Sequence, residues 1–182
     1  MIYIIIGAVV LLIVGFLIST YNSLIKLRNM VKDQWSQIDV LLKRRADLIP
    51  NLVETVKGYA GHEKETLEAV INARNSVVSA GSADAEMAAN DQLTGALTKL
   101  FALSEAYPDL KANSNFMSLQ NDLKETEDKI SYARQFYNDA VLNYTNKLEQ
   151  FPTNIVGSMF GFKKEKFFEA SEGEKEVPTV KF

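Results

Sequence analysis

Residues 2–20 form an apolar run without one charged side chain, and the first charge after it is Lys26. At 1.5 Å per residue such a run reaches about 28 Å as a helix, close to the roughly 30 Å hydrocarbon thickness of a bilayer. It therefore predicts a single membrane-spanning helix, with residues 1–22 as the anchor. A secretory signal peptide is the competing reading. It calls for a basic leading region, a shorter apolar stretch and a small-x-small cleavage site. No Lys or Arg precedes the run, and its exit, Ser19-Thr20-Tyr21-Asn22-Ser23, offers no small pair at the required offset. The expectation is an anchor that stays in the protein.

Orientation is read from the flanks, because Lys and Arg close to a spanning helix tend to remain cytoplasmic. Lys26, Arg28 and Lys32 follow the run, against only the α-amino group before it. The prediction is an N-terminus outside and a C-terminal domain in the cytoplasm, as a single-pass protein of a bacterial cell membrane. The chain has no cysteine. That excludes both disulfides and a lipid-modified cysteine, and it suits a reducing compartment. The net charge of -3 is mild. Its charges are scattered, so nothing marks a nucleic-acid surface.

Beyond the anchor the apolar residues recur with helical spacing. Alternating steps of four and three give Leu24, Arg28, Val31, Trp35, Ile38, Leu42, Arg45, Ile49, Leu52, Val56 and Tyr59. Only the two arginines break this stripe, which predicts one long helix continuing from the membrane segment, with coiled-coil character. Pro50 lacks an N–H, yet the phase survives it, so a kink is predicted rather than a break. Gly58 and Gly61 mark the stop. A second stripe carries Leu67, Val70, Ile71, Arg74, Val77 and Val78; a third carries Leu93, Ala96, Leu97, Leu100 and Leu103 and ends before Pro108. Asn113 and Ser114 are natural N-caps for the fourth, which reads Phe116, Leu119, Leu123, Thr126, Ile130, Ala133, Tyr137, Ala140 and Tyr144.

The predicted fold class is all-α: an N-terminal transmembrane helix continuous with an antiparallel up-down four-helix bundle. The bundle domain is placed at 23–151, with helices near 23–57, 62–79, 86–105 and 114–150. Pro152 is taken to close the last helix. An aromatic and basic segment follows at 152–168, then an acidic mobile tail at 169–182.

Reactive chemistry finds little to work with. His62 is the only histidine, which excludes the Glu-x-x-His di-metal pattern, a two-histidine zinc site and a histidine-dependent triad. It falls in a turn and reads as a solvated or capping residue. No Gly-rich phosphate loop occurs. Asp122, Glu125 and Asp128 lie off the stripe, with Glu125 placed to pair with Lys129 one turn on. No catalytic residue, cofactor or metal is assigned, and the chain is expected not to be an enzyme.

Two features stand out. Arg45 and Arg74 face inward by periodicity, Arg134 lies one position past Ala133, and Glu127 is the nearest acid of suitable phase. A charge beside a core must be paired or pay several kcal/mol in desolvation, so a register-fixing ionic contact from Glu127 to Arg45 or Arg74 is predicted. The alternative is that each arginine lays its stem on the core and extends its head to water. The second feature is Phe160, Phe162, Lys163, Lys164, Phe167 and Phe168, a candidate interface segment. It either dips into the lipid interface or packs across the end of the bundle, and packing is the favoured reading.

Several of these motifs resemble the bacterial LemA family. They are Trp35-Ser36-Gln37-Ile38-Asp39-Val40, Lys43-Arg44-Arg45-Ala46-Asp47-Leu48-Ile49-Pro50-Asn51-Leu52, Val56-Lys57-Gly58-Tyr59 with His62-Glu63, and Tyr107-Pro108-Asp109-Leu110-Lys111-Ala112-Asn113. Phe116, Leu119-Gln120, Thr126-Glu127, Ala133-Arg134, Tyr137-Asn138 and Phe160-Gly161-Phe162 complete the match. The resemblance implies an anchored helical bundle of the bacterial envelope with the same outside-to-inside topology. It brings no established activity and no residue roles. The reading is a membrane-integral scaffold or protein-interaction module with an unknown protein partner and no nucleic acid. The alternative is a sensory or small-molecule-binding bundle.

Overall fold

The computed structural model describes residues 1–168, so the predicted acidic tail lies outside the described residues. The described chain is all-helical: α1 (Ile2–Ala60), α2 (Lys64–Ser79), α3 (Ala83–Ser104), α4 (Pro108–Lys111), α5 (Ser114–Glu149) and α6 (Thr153–Met159). The chain divides into two compact units. One contains Met1–Gln37 with residues 133–168, and the other contains Ile38–Tyr132. α1 and α5 are long enough to contribute to both.

α1 is unbroken for 59 residues, with Pro50 inside it. Among the described residues it is the one helix long and apolar enough to cross a membrane. Its apolar run makes almost no contact within the chain: Leu11 and Leu12 are each 74% exposed. An uncovered apolar surface of that size is rare on soluble proteins, in keeping with a membrane-anchored helix. The helix ends as Gly61 is reached. A Cβ there would lie 3.0 Å from the Lys57 carbonyl oxygen.

In the 38–132 unit, the second half of α1, the helices α2 and α3 and the first half of α5 enclose one core. Ile49, Leu52 and Val56 meet Val70, Leu93, Leu97, Leu100, Phe116 and Leu123, all nearly or wholly buried. Each such side chain contributes roughly 1.5–3 kcal/mol on leaving water. Connections of three residues on either side of α2 make successive helices antiparallel. Asn113 caps α5, accepting from the Phe116 amide at 3.0 Å. α3 ends at Ser104, ahead of Pro108 as the sequence predicts, and Pro108 is also the first residue of the one-turn helix α4.

In the other unit α1 and α5 pack through Leu24, Val31, Ala140, Val141 and Tyr144, with the Trp35 and Tyr137 rings edge-on at 5.6 Å. The sequence has no helix assigned after Pro152, but α6 forms there and turns its Thr153, Val156 and Gly157 inward. Gly157 packs closely on Leu148, whose Cδ1 would have to shift to admit a Cβ there. α6 ends in a Schellman motif: the Phe162 amide donates to the Gly157 carbonyl at 2.9 Å and the Gly161 amide to Ser158. Gly161 takes φ 68, the left-handed value that glycine adopts without penalty. The chain then runs along α5 as a strap, held by Tyr144 and Tyr137 hydroxyls donating to the Lys163 and Lys166 carbonyls, both at 2.9 Å. Asn138 completes the strap by bonding both the amide and the carbonyl of Phe168.

Candidate functional site

The most organised polar site lies inside the 38–132 unit. Arg45 falls on the inward stripe of α1 between Leu42 and Ile49, both buried, so its guanidinium has no route to water along its own helix. It is 4% exposed. Its Nη1 donates to Asn90 Oδ1 at 2.7 Å and to Thr94 Oγ1 at 3.0 Å, both on α3, and lies 2.8 Å from Glu127 Oε2 on α5. One nitrogen carries two hydrogens. With three acceptors around it, Glu127 Oε2 is left as an ion-pair partner without an aligned hydrogen bond. The result joins three helices through one cation, and the Thr94 hydroxyl in turn donates to the Asn90 carbonyl at 3.1 Å.

Beside this pair opens a cavity of about 290 Å³. Its apolar wall is Leu97, Phe101 and Leu123, and its polar wall is Arg45, Thr94 and Glu127. That volume is just under the range of about 300–1,000 Å³ typical of small-molecule sites.

Of the residues singled out from sequence, Arg45 and Glu127 are brought together. Arg74 is not part of this contact. It is half-buried, donates weakly to the Ala46 carbonyl at 3.4 Å, and reaches Asn75 at 3.3 Å. Arg134 belongs to the other unit, where its guanidinium carbon stacks 4.1 Å above the Phe168 ring. Glu125 pairs with Lys129 at 2.5 Å, which holds its carboxyl below the ordinary value. His62 is exposed. Asn90 and Thr94 were not singled out from sequence. Asn90 sits three residues before Leu93, on the same helical face, so its phase was available.

A second charged contact was also missed. Glu86 of α3 is pushed up to about 7, first by burial and then by its hydrogen bond and charge repulsion with Asp39 of α1. Its unfolded value is near 4.5. Raising an acid's folded value means that the folded state binds more protons between the two values, so stability falls as pH rises from about 4.5 to 7. With Glu86 partly solvated, the loss is about 1 kcal/mol after screening. Thermal melts of Glu86→Gln and wild type should therefore coincide near pH 4.5, and the variant should be the more stable near pH 8. Parallel curves at both ends would contradict the assignment.

Set against known proteins, a family model described as the LemA family matches residues 34–182. The chain belongs to the LemA family. Protein LemA of Metamycoplasma hominis is 27% identical over 158 residues, spanning 85% of this chain and 71% of its own. Magnetosome protein MamQ 2 of Paramagnetospirillum magneticum is 25% identical over 189 residues, spanning 88% and 70%. MamQ of Magnetospirillum gryphiswaldense is 22% identical over 190 residues, spanning 90% and 70%. The match includes Arg45, Asn90, Thr94 and Glu127 in its span. Family membership and the exposed apolar helix together support a membrane-anchored helical protein.

Proposed function

We propose that this LemA-family chain is a single-pass protein whose helical body faces the cytoplasm and holds a partner protein at the membrane, without catalysis of its own. The observation that carries the reading is the continuity of α1, whose first third is bare apolar surface and whose last part supplies core to the 38–132 unit. One helix thus ties a folded body to a bilayer. The inward-facing Arg45 is engaged by Asn90, Thr94 and Glu127, which leaves the outer surface as the working part of this reading.

Site-specific photocrosslinkers at the exposed Tyr59, Val78 and Met117 test the reading in cells making the full chain. Discrete adducts to another polypeptide are expected at one or more positions, and no adduct at any of the three would refute it. A single cysteine at Ser82, on the turn before α3, reports the side. It should resist a membrane-impermeant maleimide until the membrane is opened.

The cavity beside Glu127 favours a second reading, in which the bundle binds a small amphiphile that sets an amine or hydroxyl against Oε2 and an apolar body against Leu97, Phe101 and Leu123. Thermal-shift screening with apolar amines would show stabilisation that Glu127→Gln abolishes.

A further inference from the structure

The end of the apolar run has a neighbour that the rest of the fold does not use. Tyr21, one residue past that run, packs edge-on against Phe160 at 4.9 Å between ring centroids and against Phe162 at 5.6 Å. Leu24, one turn further, is wholly buried and lies next to Gly157 of α6. α6 and the turn after it therefore sit level with residues 21–24 of α1, where a helix leaves the hydrocarbon.

The inward face of α6 is Thr153, Val156 and Gly157. Its outward side carries Asn154 and Ser158 along one edge and Ile155 and Met159 along the other, 53% and 65% exposed, and that apolar edge is extended by Phe160 at the C-cap, 52% exposed, and Phe151 ahead of the helix, 80%. Scattered apolar residues on a surface need no explanation, but four large ones within ten residues form a patch that water does not suit. Aromatic and apolar side chains at headgroup depth are stabilised by insertion below the polar boundary. Lys26 and Lys163 are exposed close by, positioned for lipid phosphates, whereas Lys164 is engaged by Glu149.

We infer that α6 is an interfacial foot: its Phe151, Ile155, Met159 and Phe160 side chains insert into the headgroup boundary of the same bilayer that α1 spans. The inference rests on α1 being a membrane anchor. Its occupant is the lipid interface, chosen because the patch is continuous with the spanning run through the Tyr21 contact. The strap at 162–168 is packed on α5 by Tyr137, Asn138 and Tyr144, and Phe168 is 7% exposed. Packing thus accounts for Phe162 and Phe168, while the insertion surface moves to α6 and Phe160.

The absence of native cysteine permits a direct test. Single cysteines at Ile155, Met159, Leu11 and Gln37 are labelled with an environment-sensitive fluorophore, and each full chain is reconstituted in phosphatidylcholine vesicles with and without phosphatidylglycerol. Nitroxide lipids carry the quencher either just below the headgroup or deep in the acyl chain. Gln37 lies about 24 Å along α1 from Tyr21, beyond reach of either quencher. Labels at 155 and 159 should lose roughly half their emission to the shallow quencher, as expected for side chains about 5–10 Å into the boundary. The label at 37 should lose none, and that at 11 should respond to the deep quencher. If 155 and 159 behave like 37 while 11 is quenched, the foot is refuted and the anchor stands. Labels at 155 and 159 that are shielded from aqueous iodide yet untouched by nitroxide assign the patch to a protein and also refute it. Failure of 11 to respond refutes the anchor itself.

Discussion

Replacing Leu11 and Leu12 together by lysine is expected to release the full chain from membranes into the supernatant after alkaline extraction and ultracentrifugation. Each lysine near the centre of a spanning helix costs roughly 2.5–3.5 kcal/mol, so the pair opposes insertion by about 5 kcal/mol or more, over a thousandfold in partitioning. Both side chains are 74% exposed, so the substitutions remove no packing within the protein. Far-UV circular dichroism of the released chain should stay helical. The matched change of both residues to phenylalanine preserves apolarity and should leave the chain in the pellet. A lysine variant that remains with the membrane would mean that this run is not the anchor.

The long helices were legible in the sequence because their cores are periodic. Leu24, Val31, Ile38, Leu42, Ile49, Leu52 and Val56 all lie on the predicted stripe and all are buried. Tyr59 has the same phase but is 44% exposed, at the last turn of α1, where its hydroxyl accepts from Asn113 Nδ2 at 2.9 Å. Pro50 is inside a continuous helix, in keeping with a stripe whose phase does not shift across it. Where an element is shorter than two turns, periodicity has nothing to count. α4 and α6 fall in this class. α3 ends at Ser104 and α5 at Glu149, each ahead of its proline, and Pro108 and Pro152 are in addition the first residue and the N-cap of the short helices that follow. That is the position where a missing N–H is harmless.

The charged residues show the same division. Phase alone places Arg28, Arg45, Arg74 and Arg134 toward packed surfaces, and it does not distinguish their fates. Arg45 meets two acceptors on α3 and a carboxylate on α5. Arg28 and Arg134 lie over the Phe162 and Phe168 rings, which arrive from a strap that no periodic pattern announces. Arg74 reaches across from α2 to the Ala46 carbonyl of α1 at 3.4 Å and to its neighbour Asn75 at 3.3 Å. What each arginine meets is decided by the neighbouring element, and a one-dimensional stripe carries no information on neighbours.

The Arg45–Glu127 contact has the next largest expected consequence. Removing the anion while leaving the cation buried costs 3–5 kcal/mol in a dry interior. Glu127 is 36% exposed and borders the cavity, so water relieves part of this, and about 2–3 kcal/mol is expected for Glu127→Gln. That corresponds to a fall of roughly 5–10 °C in melting temperature for a chain of this size. Arg45→Met should cost a similar amount, because Asn90 Oδ1 and Thr94 Oγ1 lose their donor while the methionine recovers most of the packing. The decisive measurement is the double variant. With the charge and its partner both gone, the penalty of an unpaired ion disappears, and the combined loss should fall short of the sum of the singles by about 1 kcal/mol or more. Strict additivity would mean that Arg45 is held by Asn90 and Thr94 alone, with Glu127 a bystander at contact distance. The missing alignment of its Oε2 makes that outcome a genuine competitor, which is why the cycle, and not either single variant, discriminates between them.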